Sequence, residues 1–311
     1  MTASPTGAVT AFDHAERRIW SGKAEVYART YARLCAHPAA ALLDAAGAGP
    51  GSRVLDVGCG SGTISAVAAG RGATAYAVDA EPGMVAATRR AHPGVAACIA
   101  RIPELPYGDG KFDVVAGNFV LNHVGRPREA LAELRRITRP GGRVAVTVWR
   151  SPGAPGQTLI GRAAQAAGLT RPGRLPALAP EDDFPRTAEG LAALLDAAGL
   201  LGAQGSEAAW EHRCDPGTWW AGAERGIGAI GQVLNSGGAR GVAAARQAYD
   251  ELCAEFRSAD SLLALPWRMM RCRTLSTPCV VRARSQSRRW TVTVWSPLHG
   301  VPCTVAFPSR R

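Results

Sequence analysis

The sequence predicts an α/β fold, a doubly wound and mostly parallel sheet with helices on both faces. Three observations predict it. Short apolar runs alternate with helical patterns five times between residues 53 and 149. The first run stops at a glycine cluster, Gly58-Cys59-Gly60-Ser61-Gly62. The second closes on an acidic residue, Asp79. Strands joined through helices pair in parallel, because the crossover returns the chain to the same end of the sheet. A glycine turn after the first strand lies where such sheets take a ligand.

The elements follow in order. Ile19, Trp20, Val26, Tyr27, Tyr31 and Leu34 recur at mixed helical steps, so residues 1–50 read as an N-terminal helical cap. Its last helix is Ala/Leu-rich and lies between Pro38 and Gly47. Residues 53–57 form a buried strand, followed by an Ala-rich helix to about Gly70. Strands are expected at 74–78, 95–99, 111–117 and 143–149, with helices at 84–90 and 128–138. The last helix puts Leu131, Leu134 and Ile137 on one face. Residues 51–150 are therefore the core unit.

A Gly/Pro-rich stretch from 151 to 185 reads as a loop or lid with one helix near 157–167. Helices are expected at 187–198, 216–231 and 238–256, and a strand at 208–213. Residues 151–265 thus hold lid helices, a substrate-binding region and the remaining core strands. Residues 267–274 fit a final strand poorly, and 266–311 read as an atypical basic tail and a candidate for disorder.

Charge supports that division. The chain of 311 residues carries 36 Lys+Arg and 25 Asp+Glu, a formal net charge of +11. Nine of the arginines and no acidic residue fall in 266–311, so the body is nearly neutral. The excess is therefore a poor argument for nucleic-acid binding. An apolar fraction of 47% excludes a disordered or collagen-like chain. No apolar run approaches the roughly 18 residues of a membrane span, and the start lacks a basic-then-apolar signal. Eight cysteines without a C-x-x-C pair read as free thiols of a cytoplasmic protein. No spacing suits a metal.

The loop spacing is G-x-G-x-G, with Thr63 where a dinucleotide fingerprint would carry its last glycine. Asp56 stands two residues before Gly58, and a carboxylate there suits a ligand bearing positive charge better than a pyrophosphate. Asp79 at the end of its strand suits ribose hydroxyls, or alternatively caps the next helix. A tight turn without ligand is the plainer alternative for the glycines.

Residues 54–62 resemble the first motif of class I S-adenosylmethionine-dependent methyltransferases. Residues 79–84, 103–107, 112–115, 118–124 and 134–142 resemble its later motifs in order and spacing, in the type 11 or UbiE-like branch. The resemblance is close over about 20–150 and looser over 187–265. It implies a Rossmann-like class I methyltransferase fold and S-adenosylmethionine as cofactor. It also implies roles: Gly58, Cys59, Gly60 and Gly62 along the methionine and sugar, the amino group near Asp56, Asn118 and Phe119, and the ribose on Asp79. Ala80 and Met84 would lie near the adenine, with Arg101 and Ile102 at its edge. An Asp is usual in the family where Arg101 stands.

Methyl transfer asks mainly for alignment and exclusion of water. If the acceptor must lose a proton, His123 is the best-placed base of six histidines, at the carboxyl end of the fourth strand. Packing under the lid is the competing reading. Trp20, Tyr27 and Tyr31 on the cap and Trp219 and Trp220 in the lid are candidate substrate contacts, or else core aromatics. The expected function is methylation of a small organic acceptor, a secondary metabolite or a quinone-like or aromatic molecule. An NAD(P)-dependent oxidoreductase and a non-catalytic cofactor-binding protein are the alternatives. No nucleic-acid or membrane partner is expected.

Overall fold

The computed structural model describes residues 9–274, 290–295 and 302–307. Four short helices open it: α1 (Ala11–Trp20), α2 (Ala24–Arg29), α3 (Ala32–Ala36) and α4 (Ala39–Ala46). The alternating core follows as β1 (Arg53–Val57), α5 (Thr63–Gly70), β2 (Thr74–Asp79), α6 (Pro82–Ala91), β3 (Ala96–Ile99), β4 (Phe112–Asn118), α7 (Pro127–Ile137) and β5 (Thr138–Trp149). The second half contains α8 (Pro155–Ala166), α9 (Ala188–Ala197), β6 (Gln204–Cys214), α10 (Pro216–Glu224), α11 (Gly228–Ser236), α12 (Gly238–Leu252) and β7 (Leu263–Arg273). Residues 290–295 and 302–307 pair as an antiparallel hairpin, β8 (Trp290–Trp295) and β9 (Pro302–Phe307).

The main sheet has seven strands in the order β3-β2-β1-β4-β5-β7-β6. The first five are mutually parallel; β7 is antiparallel to both β5 and β6. The order reverses between β1 and β4, and the crevice at their carboxyl ends is the ligand position of this topology. One face of the sheet is covered by α7 and α9 through Leu131, Leu134, Ile137, Leu191 and Leu195. The other is covered by α4, α5 and α6 through Leu42, Leu43, Ile64, Ala68 and Val85. A separate lid core gathers Leu159, Trp219, Trp220, Leu234, Tyr249 and Trp267. Among the described residues no helix is long and apolar enough to cross a membrane.

Two expectations are corrected. The chain from 267 to 273 is not tail: β7 runs through the boundary expected at 266 and lies between β5 and β6. Leu263, Leu265, Trp267 and Met269 alternate into the interior, which is the period of a strand. The interleaved arginines obscured it. Arg271 and Arg273 donate to the carbonyls of Ala41 and Ala45 along α4, the second of them in its last turn. The helix expected at 216–231 is two helices, α10 and α11. Gly226 and Gly228 break it at φ values of +81° and +65°, a region that glycine enters without penalty. The rest of the expected tail, at 275–289, 296–301 and 308–311, lies outside the described residues.

Candidate active site

A cavity of about 1220 Å³ opens at the carboxyl ends of β1, β2 and β4, under α1, α2 and the lid helices. Its floor is the glycine turn. Gly58 and Gly60 adopt φ values of +68° and +54°. A Cβ on Gly58 would lie 2.6 Å from Val120 Cγ2, and one on Gly60 would lie 3.1 Å from the Tyr27 ring. The turn is thus glycine for reasons of both backbone and space. Gly58 and Gly60 line the cavity. Cys59 and Gly62 face the other way, toward Thr88 on α6.

Asp56 also lies behind the turn. It is 1% exposed, and its Oδ2 accepts from the Ser65 amide at 2.9 Å and the Ser65 hydroxyl at 2.7 Å. It ties β1 to the first turn of α5 and does not line the cavity. Burial pushes its carboxyl up to about 7, against the pull of both Ser65 bonds.

Asp79 does line the cavity. Its two oxygens accept from the amides of Gly60 and Glu81, each at 2.9 Å. Burial raises its pKa, and those amide bonds work in the other direction. A carboxylate has about four acceptor sites, so each oxygen keeps one for a ligand hydroxyl. The cap of α6 is not Asp79 but Glu81, which accepts from the Met84 amide at 2.8 Å. Ala80, Met84, Arg101 and Ile102 line the adjoining end of the cavity, with Arg101 exposed.

Asn118 ends β4 and is fixed at both ends of its amide. Its Nδ2 donates to the Cys35 carbonyl at 2.8 Å, and its Oδ1 accepts from Thr147 Oγ1 at 2.7 Å. The same Thr147 oxygen accepts from the Phe119 amide at 2.9 Å. Phe119 takes a left-handed φ of +62°, and its ring stacks on Trp149 with centroids 3.6 Å apart. A bulky residue holds such a φ only when its surroundings over-determine it. The tight turn Val120–His123 follows. His123 Nδ1 lies 2.8 Å from Glu16 Oε2 on α1, and Trp20 stands edge-on to the imidazole at 5.1 Å.

Of the aromatic candidates, Trp20, Tyr27, Tyr31 and Trp219 line the cavity. Trp220 does not; it is 1% exposed in the lid core, 5.0 Å from Tyr249. Two further wall residues went unread. Trp149 ends β5, and Trp267 lies on β7. Ring contacts connect Phe119 to Trp149, Trp149 to Trp267, Trp267 to Trp219 and Trp219 to Tyr31. Glu16 also went unread; its only signal was the i, i+4 step to Trp20 on one helix face. Cys35 lines the cavity too, but burial pushes its thiol up to about 12, so it stays protonated. Among the described residues no group of three or more His, Cys, Asp or Glu is placed to hold a metal.

These residues fit a cofactor with a ribose and a small polar tail. Glycine backbone admits close approach, Asp79 keeps free acceptor capacity, and Asn118 is locked in the wall. The sheet order, with this crevice at the carboxyl ends of its strands, is that of the class I methyltransferase fold. The family model described as "Methyltransferase domain" matches residues 55–146. A demethylmenaquinone methyltransferase of Beutenbergia cavernae is 43% identical over 122 residues, covering 39% of this chain and 51% of that protein. One from Renibacterium salmoninarum is 40% identical over 111 residues, covering 36% and 47%. The chain thus spans about half the length of these curated relatives. The structure of phosphoethanolamine N-methyltransferase 2 from Haemonchus contortus superposes with a TM-score of 0.50 at 16% identity, over 86% of this chain and 60% of that one. That likeness is one of fold. Residues 55–146 therefore match a methyltransferase domain, carried on a sheet of the class I methyltransferase type.

Proposed function

We propose that this protein transfers a methyl group from S-adenosylmethionine to a small, flat, largely apolar acceptor, quinone-like or otherwise aromatic. The observation that carries the reading is the continuity of one cavity. Gly58, Gly60 and Asp79 line one end, and Phe119, Trp149, Trp219 and Trp267 wall the other. The naming of the relatives as demethylmenaquinone methyltransferases supports a ring of this kind.

When bound, S-adenosylmethionine supplies an electrophilic methyl group on a sulfonium. Everything else falls to the chain. Gly58 and Gly60 let the main chain approach the ligand, and Asp79 accepts its ribose hydroxyls. Ala80, Met84 and Ile102 give the adenine an apolar slot beside Arg101, and Asn118 flanks the amino-acid end. The aromatic wall orients the acceptor by face and edge contacts. Helix α1 and the turn after it cover the site: Asp13 Oδ1 on α1 accepts from the Gly125 amide at 2.7 Å, and Lys23 Nζ, just before α2, donates to the Arg225 carbonyl at 2.8 Å. That cover excludes water and holds the reacting groups together. His123 accepts the acceptor's proton.

Calorimetry with S-adenosylmethionine and with NAD comes first, then turnover of an aromatic and quinol panel with methyl-labelled cofactor. Binding of the former alone and label transfer to a ring compound are expected. Binding of NAD in its place, or label transfer confined to non-aromatic acceptors, overturns the reading.

A further inference from the structure

The Glu16–His123 contact assigns a finer role within that reading, on which it rests. We infer that Glu16 is the positioning residue of a His123 base, and that the acceptor is therefore a hydroxylated aromatic ring rather than one lacking a proton to lose. A carboxylate oxygen accepts and does not donate. At 2.8 Å from Glu16 Oε2, His123 Nδ1 must therefore carry the hydrogen. Trp20 Nε1 lies 3.2 Å from the same oxygen and 3.4 Å from Nδ1. With Nδ1 a donor, the indole hydrogen goes to the carboxylate and helps fix it. Nε2 is then the bare, accepting nitrogen. It has no hydrogen-bond partner among the described residues, and the imidazole is one-third exposed on the cavity wall.

The other titratable groups along the cavity are occupied otherwise. Asp79 holds two amides, Glu81 caps α6 and Glu129 pairs with Arg126. Burial raises the Tyr27 phenol and the Cys35 thiol. Glu104 is exposed at the rim. His123 alone combines a fixed tautomer with an open nitrogen. Nor does α1 need Glu16 as its staple, since Asp13 already ties its first turn to Gly125. The step balances: the acceptor's O–H bond breaks and the proton goes to Nε2. The oxygen's electron pair forms the bond to the methyl carbon, and sulfur keeps the pair of the broken S–C bond. The Glu16 carboxylate offsets the imidazolium charge, as a carboxylate does behind other histidine bases.

The test uses the full chain, with nitrogen-15 NMR of the histidine rings at about pH 8 and His123→Ala assigning the signals. His123 is expected as the Nδ1–H tautomer. Glu16→Gln keeps it, because an amide oxygen still accepts, whereas Glu16→Ala releases it toward Nε2–H. In turnover, Glu16→Ala lowers kcat roughly tenfold to a hundredfold with KM for the cofactor unchanged. Glu16→Gln restores part of it, and adding Glu16→Ala to His123→Ala costs nothing more. Hydroxylated rings are methylated and their ring-matched methyl ethers are not. An Nε2–H tautomer in the wild type, a tautomer indifferent to Glu16→Ala, or equal turnover of rings without an ionisable proton overturns the inference. The NMR arm needs no turnover, so failure of the pair is distinguishable from failure of the methyltransferase reading, which shows as no cofactor binding and no label transfer. If Glu16→Ala does not fold, Glu16→Gln and wild type carry the tautomer comparison, and a Gln variant with Nε2–H is the overturning result.

Discussion

Replacing Asp56 with Asn isolates the energetic cost of a carboxyl behind the glycine turn. In the folded chain, burial pushes this group up to about 7; in the unfolded chain an Asp titrates at about 3.9. The folded state therefore holds the proton more tightly, and stability falls as pH rises from about 4 through about 7. A rise of about three pH units corresponds to about 4 kcal/mol over the full window, of which about 2 kcal/mol falls between about pH 5.5 and pH 8. Asn cannot ionise, and its amide oxygen can still accept from both Ser65 donors. The expected result is that Asp56→Asn gains about 2 kcal/mol on the wild type between those two pH values. Urea unfolding followed by tryptophan fluorescence measures it, with equal m-values required of both proteins. An advantage that stays flat with pH, or shrinks, refutes the reasoning. Affinity for S-adenosylmethionine should move less than threefold or so, because the side chain does not line the cavity.

Three further outcomes are expected. Asp79→Asn removes the charged acceptor on the cavity wall and weakens S-adenosylmethionine binding about tenfold to a hundredfold; unchanged calorimetric affinity would remove Asp79 from the site. Gly58→Ala combines a positive φ with a Cβ 2.6 Å from Val120 Cγ2, and should cost about 3 kcal/mol in a denaturant melt together with most of the cofactor affinity. Trp220→Ala should lower stability by about 3–5 kcal/mol while leaving KM values of the folded enzyme near wild type. Trp20→Ala should do the reverse, raising the acceptor KM with a smaller loss of stability, and a matching pattern for the two would contradict their placement.

Most of the core was legible because its signals are local. A strand ending in glycines and a strand ending in Asp79 follow from short runs of sequence, and so do the amphipathic α7 and the break at Gly47. Strand β7 was not legible. Its alternation of apolar residues is interrupted by Arg268, Arg271 and Arg273, and only the tertiary structure supplies the α4 carbonyls that accept from two of them. The split between α10 and α11 needed backbone angles, since glycine is tolerated within a helix as well as at its end. Trp219 and Trp220 are adjacent in sequence, yet one lines the cavity and the other is buried against Tyr249. On a helix such neighbours point about 100° apart, and sequence does not say which direction is inward.

By itself, then, the sequence determined the alternating fold, the glycine turn, Asp79 at the end of its strand and the methyltransferase resemblance. Each depends on short local segments and on their order along the chain. The tertiary structure decided that Asp56 faces α5 and not the cavity, that Trp149 and Trp267 complete the aromatic wall, and that Glu16 meets His123 across 107 positions of chain. Such contacts are fixed by how helices seat on a sheet. Burial and packing act between residues regardless of their separation along the chain, so their outcome is not written in any local pattern.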